Sequence, residues 1–376
     1  MRVARYRLKT MVLTSAAVIT LASCGSGSDA GGTGDGSTYT LHTVSPLTGA
    51  NADIGTAVIA GFKTYFATHG KEVTGKDVTI ETIDDKSTAA GTQAAFRQVV
   101  SENANLLIGH QNGLALAAAA PILDSAKVPY ITTTIADSLI RPEPKPWFYS
   151  IRTTTPDEVD IMLRYLEQKL GGSLSGKRIA VVPVDTGASP KEIADLVTAA
   201  GKEKEFTVTV EHADAQVSNF DSGAATIESF RPDGVILATT PAVTPVIAKA
   251  IIGAGYTGPM IGYSASATLA PPASAELLAA AKETGQEEFA TNTFYVQAYV
   301  VASIAARAIA ECGADCPPEK MIEAIDGIGS FTPEDGSSYG PVDVTGDHLA
   351  AENVQFVKYD PATKQLVPSG EPVSVS

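Results

Sequence analysis

The sequence predicts an α/β chain built as two similar lobes in succession, and three observations carry that prediction. From Tyr39 onward, short apolar strands alternate with helical stretches. The alternation restarts after "WFYSIRTTTPDE". Beyond an N-terminal export signal about 350 residues remain, more than one core usually covers.

The elements follow in order. "YTLHTVS" reads as a strand, and Ile54, Val58, Phe62, Tyr65 and Phe66 then fall on one face of a helix. "DVTIETIDD" is a second strand and 88–100 a second helix. "NLLIGH" is a short buried strand, an Ala-rich helix covers 114–125, and "VPYITTT" is a fourth strand. Strands joined by helices in this way form a parallel sheet covered on both faces. After the restart, Val159, Met162, Leu163, Leu166 and Leu170 stripe a helix that Asp157 and Glu158 begin favourably. "KRIAVVPV" precedes a helix with Ser189 as its expected N-cap and Pro190 in its first turn. "FTVTVEHA", a helix near 220–229, "DGVILAT", a helix over 242–253 and "GPMIGY" continue the series. A long helix is expected over 292–311, and the C-terminal end reads as short strands and a hairpin.

The N-terminus has a different character. Arg2, Arg5, Arg7 and Lys9 precede a short apolar run, 11–21, and "LAS" stands directly before Cys24. The run is too short to span a hydrocarbon layer of about 30 Å, so 1–23 is expected to be an export signal. "LASC" resembles a lipoprotein signal, which implies that Cys24 becomes a lipidated first residue. The Gly- and Ser-rich 24–37 brings little apolar surface to bury and is expected to tether the chain to a membrane, outside the cytoplasm. Stable anchoring takes two or more acyl chains, which the lipoprotein signature supplies.

Composition is globular, 44% hydrophobic and 18% charged, with a net charge of −15. The signal carries four basic residues and no acid, so the remainder lies near −19, which argues against nucleic acid and against electrostatic binding to anionic lipid. Cys312 and Cys316 are expected to form a disulfide outside the cytoplasm; the alternative is two reduced thiols at a helix end. No pair of the five histidines has helical metal-ligand spacing, and no metal or cofactor is expected. "GSSYG" at 336–340 matches G-x-S-x-G, but it lies in a loop leading to a strand rather than a strand-to-helix elbow. Ser338 is therefore read as loop polarity, and no enzymatic activity is expected.

"SPLTGANADIGTAVIAGFKTYF", "IETIDDKSTAAGTQAAFRQVV", "NLLIGHQNGLALAAAAPILDSAKVPYIT" and "FYSIRTTTPDEVD" occur in an order that resembles type 1 periplasmic solute-binding proteins of the leucine/isoleucine/valine-binding kind. The resemblance spans nearly all of 39–360. It implies two Rossmann-like lobes joined by three crossings, near Thr154, Pro271 and Gly340. The N-lobe would be 38–153 plus 272–339 and the C-lobe 154–271 plus 340–376. It implies the substrate-binding lipoprotein of an ABC importer: a monomer that closes on a small solute and hands it to a membrane permease. A ligand-sensing module of the same fold is the rival expectation. Between "GYSASATLAPP" and "FATNTFYVQAYV" the chain is shorter than its relatives, so strand and helix material near 270–290 is expected to be missing.

In open α/β sheets, ligands sit beyond the carboxyl ends of the strands. There the resemblance places Asn112, Gly113 and Leu114, with the backbone N–H groups of Gly113 and Leu114 facing a carboxylate, and the hydroxyls of Thr133 and Thr134. Gly113 stands where many relatives carry serine. From the second lobe come Asp185, Thr239, Thr240, Tyr263 and Ser264, and from the long helix Tyr295. Amino-acid binders commonly place an acid after the "GPMIG" strand to hold the ammonium; this chain has Tyr263 and Ser264 instead. A branched-chain or other apolar amino acid is the first expectation, with Asp185 or a glutamate elsewhere as substitute anion. An organic or aromatic acid without an ammonium is the second.

Overall fold

The computed structural model describes residues 38–376 apart from 186–187, 267–272, 314, 335–340, 352, 361, 363–364, 372 and 375–376. Cys24, the signal and the tether lie outside the described residues, as do Ser338, Pro271 and Gly340.

The first lobe holds β1 (Thr38–Ser45), α1 (Ala52–Tyr65), α2 (Lys71–Thr74), β2 (Asp77–Asp84), α3 (Ala89–Ser101), β3 (Leu107–Gly109), α4 (Gly113–Ala126), β4 (Tyr130–Thr132) and β5 (Phe148–Ser150). Its strands are all parallel, in the order β2-β1-β3-β4-β5. The second lobe holds α5 (Thr155–Lys169), β6 (Arg178–Pro183), α6 (Ala188–Glu203), β7 (Thr207–Val210), α7 (Asp221–Phe230), β8 (Gly234–Ala238), α8 (Thr244–Gly253) and β9 (Met260–Gly262). Its strands are also parallel, in the order β7-β6-β8-β9. α9 (Ala275–Glu283), α10 (Thr293–Cys312) and α11 (Pro318–Asp326) return to the first lobe. The short β10 (Asn353–Val354) and β13 (Val373–Ser374) pair antiparallel, as do β11 (Val357–Asp360) and β12 (Gln365–Pro368).

Alternate residues of a strand face opposite sides, so each sheet separates two cores. In the first lobe Leu41, Ile108, Ile131 and Tyr149 pack with α1 and α10, while Val44, Leu107, Tyr130 and Phe148 pack with α3 and α4. In the second, Ile179, Val181 and Ile236 pack with α5 and α6, and Ala180, Val182, Val235 and Leu237 with α7 and α8. α10 is long and apolar enough to cross a membrane, but 83% of its apolar window is buried, which makes it a core helix. It touches α1 at Gly61, where a Cβ would stand 2.4 Å from the Tyr295 carbonyl oxygen.

Three details depart from the sequence reading. α6 begins at Ala188, so Ser189 sits inside the first turn instead of capping it. β5 is an additional strand of three residues within the segment read as the passage between the lobes. The last crossing falls later than Gly340. Val342, Val344 and Ala350 belong to the first lobe's core. The free edge of β5 holds this segment: Ser150 N–H donates to the His348 carbonyl at 2.9 Å and Ala350 N–H to the Ser150 carbonyl at 2.8 Å. The second lobe is rejoined by Phe356, whose ring packs against Tyr165 at 4.8 Å. Cys312 and Cys316 are disulfide-bonded, with Cα atoms 5.5 Å apart.

Candidate functional site

The carboxyl ends of β3, β4, β6, β8 and β9, together with the first crossing after β5, carry the candidate site. At the end of β3, His110 and Gln111 are buried. Asn112 caps α4 by accepting the Leu114 N–H at 3.0 Å. That N–H, expected to face a carboxylate, is therefore already satisfied. Gly113 is required by packing, since a Cβ would meet the Ile135 carbonyl oxygen at 2.7 Å; this is why serine is not found there.

Thr133 and Thr134 are buried at the end of β4. The Thr134 hydroxyl accepts from Gln111 N–H at 3.1 Å and donates to the Gln111 carbonyl at 2.7 Å, so it ties the two loops together. The Thr133 hydroxyl meets His110 Nδ1 at 2.8 Å. Burial, followed by the positive charge of Arg152, pushes the His110 pKa down to about 3. His110 is thus a neutral ring, in edge contact with Phe294 at 5.4 Å.

The second lobe contributes a cluster whose charged members were not expected. Arg152, in the first crossing, donates from Nη2 to Glu158 Oε1 at 3.0 Å, and these side chains are only 13% and 9% exposed. Ser264 donates its hydroxyl to the same Oε1 at 2.5 Å and accepts from Arg152 Nη2. Tyr263 is the adjoining phenol, its pKa pushed up to about 12 by burial and further shaped by the charges of Arg152 and Glu158.

The other expected residues take no part in this cluster. Asp185 is 64% exposed and pairs with His212 at 3.0 Å. The Thr240 carbonyl accepts the Thr244 hydroxyl at 2.8 Å, and the buried Thr239 hydroxyl meets the same side chain at 2.6 Å. Tyr295 is fully buried in the first lobe's core and donates to Thr64 at 3.0 Å, so it is not at the cleft edge. One helical step, about 100°, separates it from Phe294, the residue that faces His110.

Residues 39–276, more than half of the chain, match the model of the periplasmic binding protein family. The chain belongs to that family. Among solved structures, it is similar to an R. palustris solute binding protein in complex with 4-hydroxybenzoate, with 18% identity, 90% of this chain and 97% of that one covered, and a TM-score of 0.74. It is also similar to a leucine binding protein from Thermotoga maritima (16% identity, 89% and 99% covered, TM-score 0.72). A fatty acid ABC transporter substrate-binding protein from Thermomonospora curvata matches at 17% identity, 90% and 92% covered, TM-score 0.72. No protein of curated function matches the sequence.

Proposed function

We propose that the protein is the extracytoplasmic solute receptor of an ABC importer, anchored through Cys24, and that its solute is an aromatic or branched organic acid without an ammonium group. The observation that carries the ligand class is the state of Glu158. This nearly buried carboxylate is already neutralised by Arg152 and hydrogen-bonded by Ser264. An ammonium placed beside it would have to displace Arg152 and leave that guanidinium without its anion in a site sheltered from water, a costly exchange. A solute carboxylate can instead share the several N–H donors of the Arg152 guanidinium with Glu158 and leave the pair intact, and it meets a neutral His110 ring. Phe294 offers an apolar face beside them. Hinge closure is the natural mechanism, because Arg152 sits in a crossing between lobes and moves with any rotation there.

The amino-acid reading is second. It is favoured by the presence of Glu158 itself, the kind of glutamate from elsewhere in the chain that would replace the acid missing after β9.

The test is thermal unfolding of the purified full-length protein against matched pairs such as 4-methylpentanoate with leucine and 3-phenylpropanoate with phenylalanine, plus benzoate and 4-hydroxybenzoate. A ligand at a thousand times its Kd stabilises by ~4 kcal/mol. Stabilisation by acids and not by their amino counterparts supports the proposal. The reverse pattern establishes the amino-acid reading.

A further inference from the structure

His42, Glu81 and Glu102 form a cluster that solute capture does not use. His42 lies three residues before the end of β1 and is paired directly with Glu81 of β2. Paired residues of parallel strands project to the same face, here the one that carries Val44 and Ile83 against α3. α3 ends at Ser101, and Glu102, its C-cap, reaches the same point. His42 Nε2 stands 3.3 Å from a Glu102 carboxylate oxygen and 3.7 Å from a Glu81 oxygen, and the donor atoms all lie within 4.8 Å of one another.

The imidazole is nine-tenths buried, and its Nδ1 has no hydrogen-bond partner among the described residues. One Nε2 can offer a single proton, so two carboxylates converging on it leave one acid without a donor from that ring. A divalent cation satisfies both carboxylates and takes the Nε2 lone pair. Metal bonds of about 2.0–2.2 Å in tetrahedral geometry place neighbouring ligand atoms about 3.3–3.6 Å apart. The 3.3 and 3.7 Å separations from Nε2 need little adjustment, and the two carboxylate oxygens, within 4.8 Å of each other, can be drawn together by side-chain rotation. Glu81 and Glu102 are 54% and 34% exposed and have room to adapt. A surface cavity of about 440 Å³ lined by His42, Glu102, Asn105 and Asp315 leaves a further position for water or for the Asp315 carboxylate.

We propose that His42, Glu81 and Glu102 bind a divalent first-row metal ion of the zinc class, tying β1 and β2 to the end of α3 at a site separate from the solute cleft. One imidazole with two carboxylates suits such an ion, and the incomplete shell leaves it open to water. Binding to the folded chain alone adds stability through mass action.

The test is calorimetric titration of the EDTA-treated full-length protein with zinc chloride, with cobalt(II) absorption as a second readout. The expected result is one ion per chain and visible cobalt bands. Glu81→Gln with Glu102→Gln should weaken zinc at least tenfold and remove the bands, while leaving solute binding unchanged. Should the double variant fail to fold, Glu81→Gln alone, at a half-exposed edge-strand position, carries the comparison. Zinc uptake that is equally tight in the variant, or no uptake by the wild type, overturns the proposal.

Discussion

Arg152 and Glu158 form an ion pair sheltered from solvent, with Nη2 and Oε1 3.0 Å apart and Ser264 closing the cluster from the end of β9. Breaking a buried pair by removing one partner costs about 3–5 kcal/mol, because the other charge stays buried and uncompensated. Arg152→Ala should therefore lower stability by roughly that amount and weaken solute binding more than tenfold. Combining it with Glu158→Gln should restore most of the stability and none of the affinity. Urea unfolding and calorimetry on the same three proteins check both halves of the expectation.

His110 links stability to pH. Its folded pKa of about 3 lies well below the unfolded value near 6.5. Below pH 6.5 the unfolded chain takes up a proton that the folded chain refuses. Stability should thus fall by up to ~1.4 kcal/mol per pH unit between about 6.5 and 3. Comparing His110→Gln with wild type in urea at pH 7, 6 and 5 isolates this slope from that of the carboxylates. An identical slope in both proteins would remove His110 as its source.

Glu192 of α6, in the second lobe, faces Asp137 from the loop after β4 in the first. Burial, then the Asp137 charge and hydrogen bond, then Asp195, raise its pKa. A raised carboxyl pKa means that the contact is favourable while protonated and is lost as pH climbs past the raised value. Glu192→Gln should make lobe closure independent of this titration and increase solute affinity at pH 7. Affinity measured at pH 5 and pH 7 in both proteins is the check.

Phe294 and Tyr295 are both buried in the first lobe's core, and Phe294 also touches His110. Phe294→Ala should weaken solute binding by removing the face beside His110. Tyr295→Phe removes only the hydrogen bond to Thr64, and should cost about 1 kcal/mol of stability with affinity unchanged.

Much of this architecture was legible in the sequence because its helices are periodic and short apolar strands alternate with them. α4 and α10 lie within a residue or two of their expected ends. β5 was not legible because "FYS" stands inside "WFYSIRTTTPDE", which reads as the passage between the two lobes. The segment 342–350 was not assigned to the first lobe, because it is held by the edge of β5 and not by a pattern of its own. The loops after β3 and β4 were found by their place after strands, yet the Leu114 N–H and Thr134 hydroxyl turned out to be spent within the protein. Glu158 reads in sequence as an acid favouring a helix N-terminus, and Arg152 as one charge in a polar crossing. Their partner Ser264 is more than a hundred positions away, so the cluster exists only in three dimensions.

The proposed preference of the cleft for a carboxylate over an ammonium rests on the Arg152–Glu158 pair. The most direct measurement is a calorimetric titration of the wild-type protein with the most stabilising acid of the panel and, separately, with its 2-amino counterpart. The acid should bind at least tenfold more tightly, with Arg152→Ala removing that preference. Tighter binding of the amino acid, lost in Glu158→Gln, would contradict it and assign Glu158 to the ammonium.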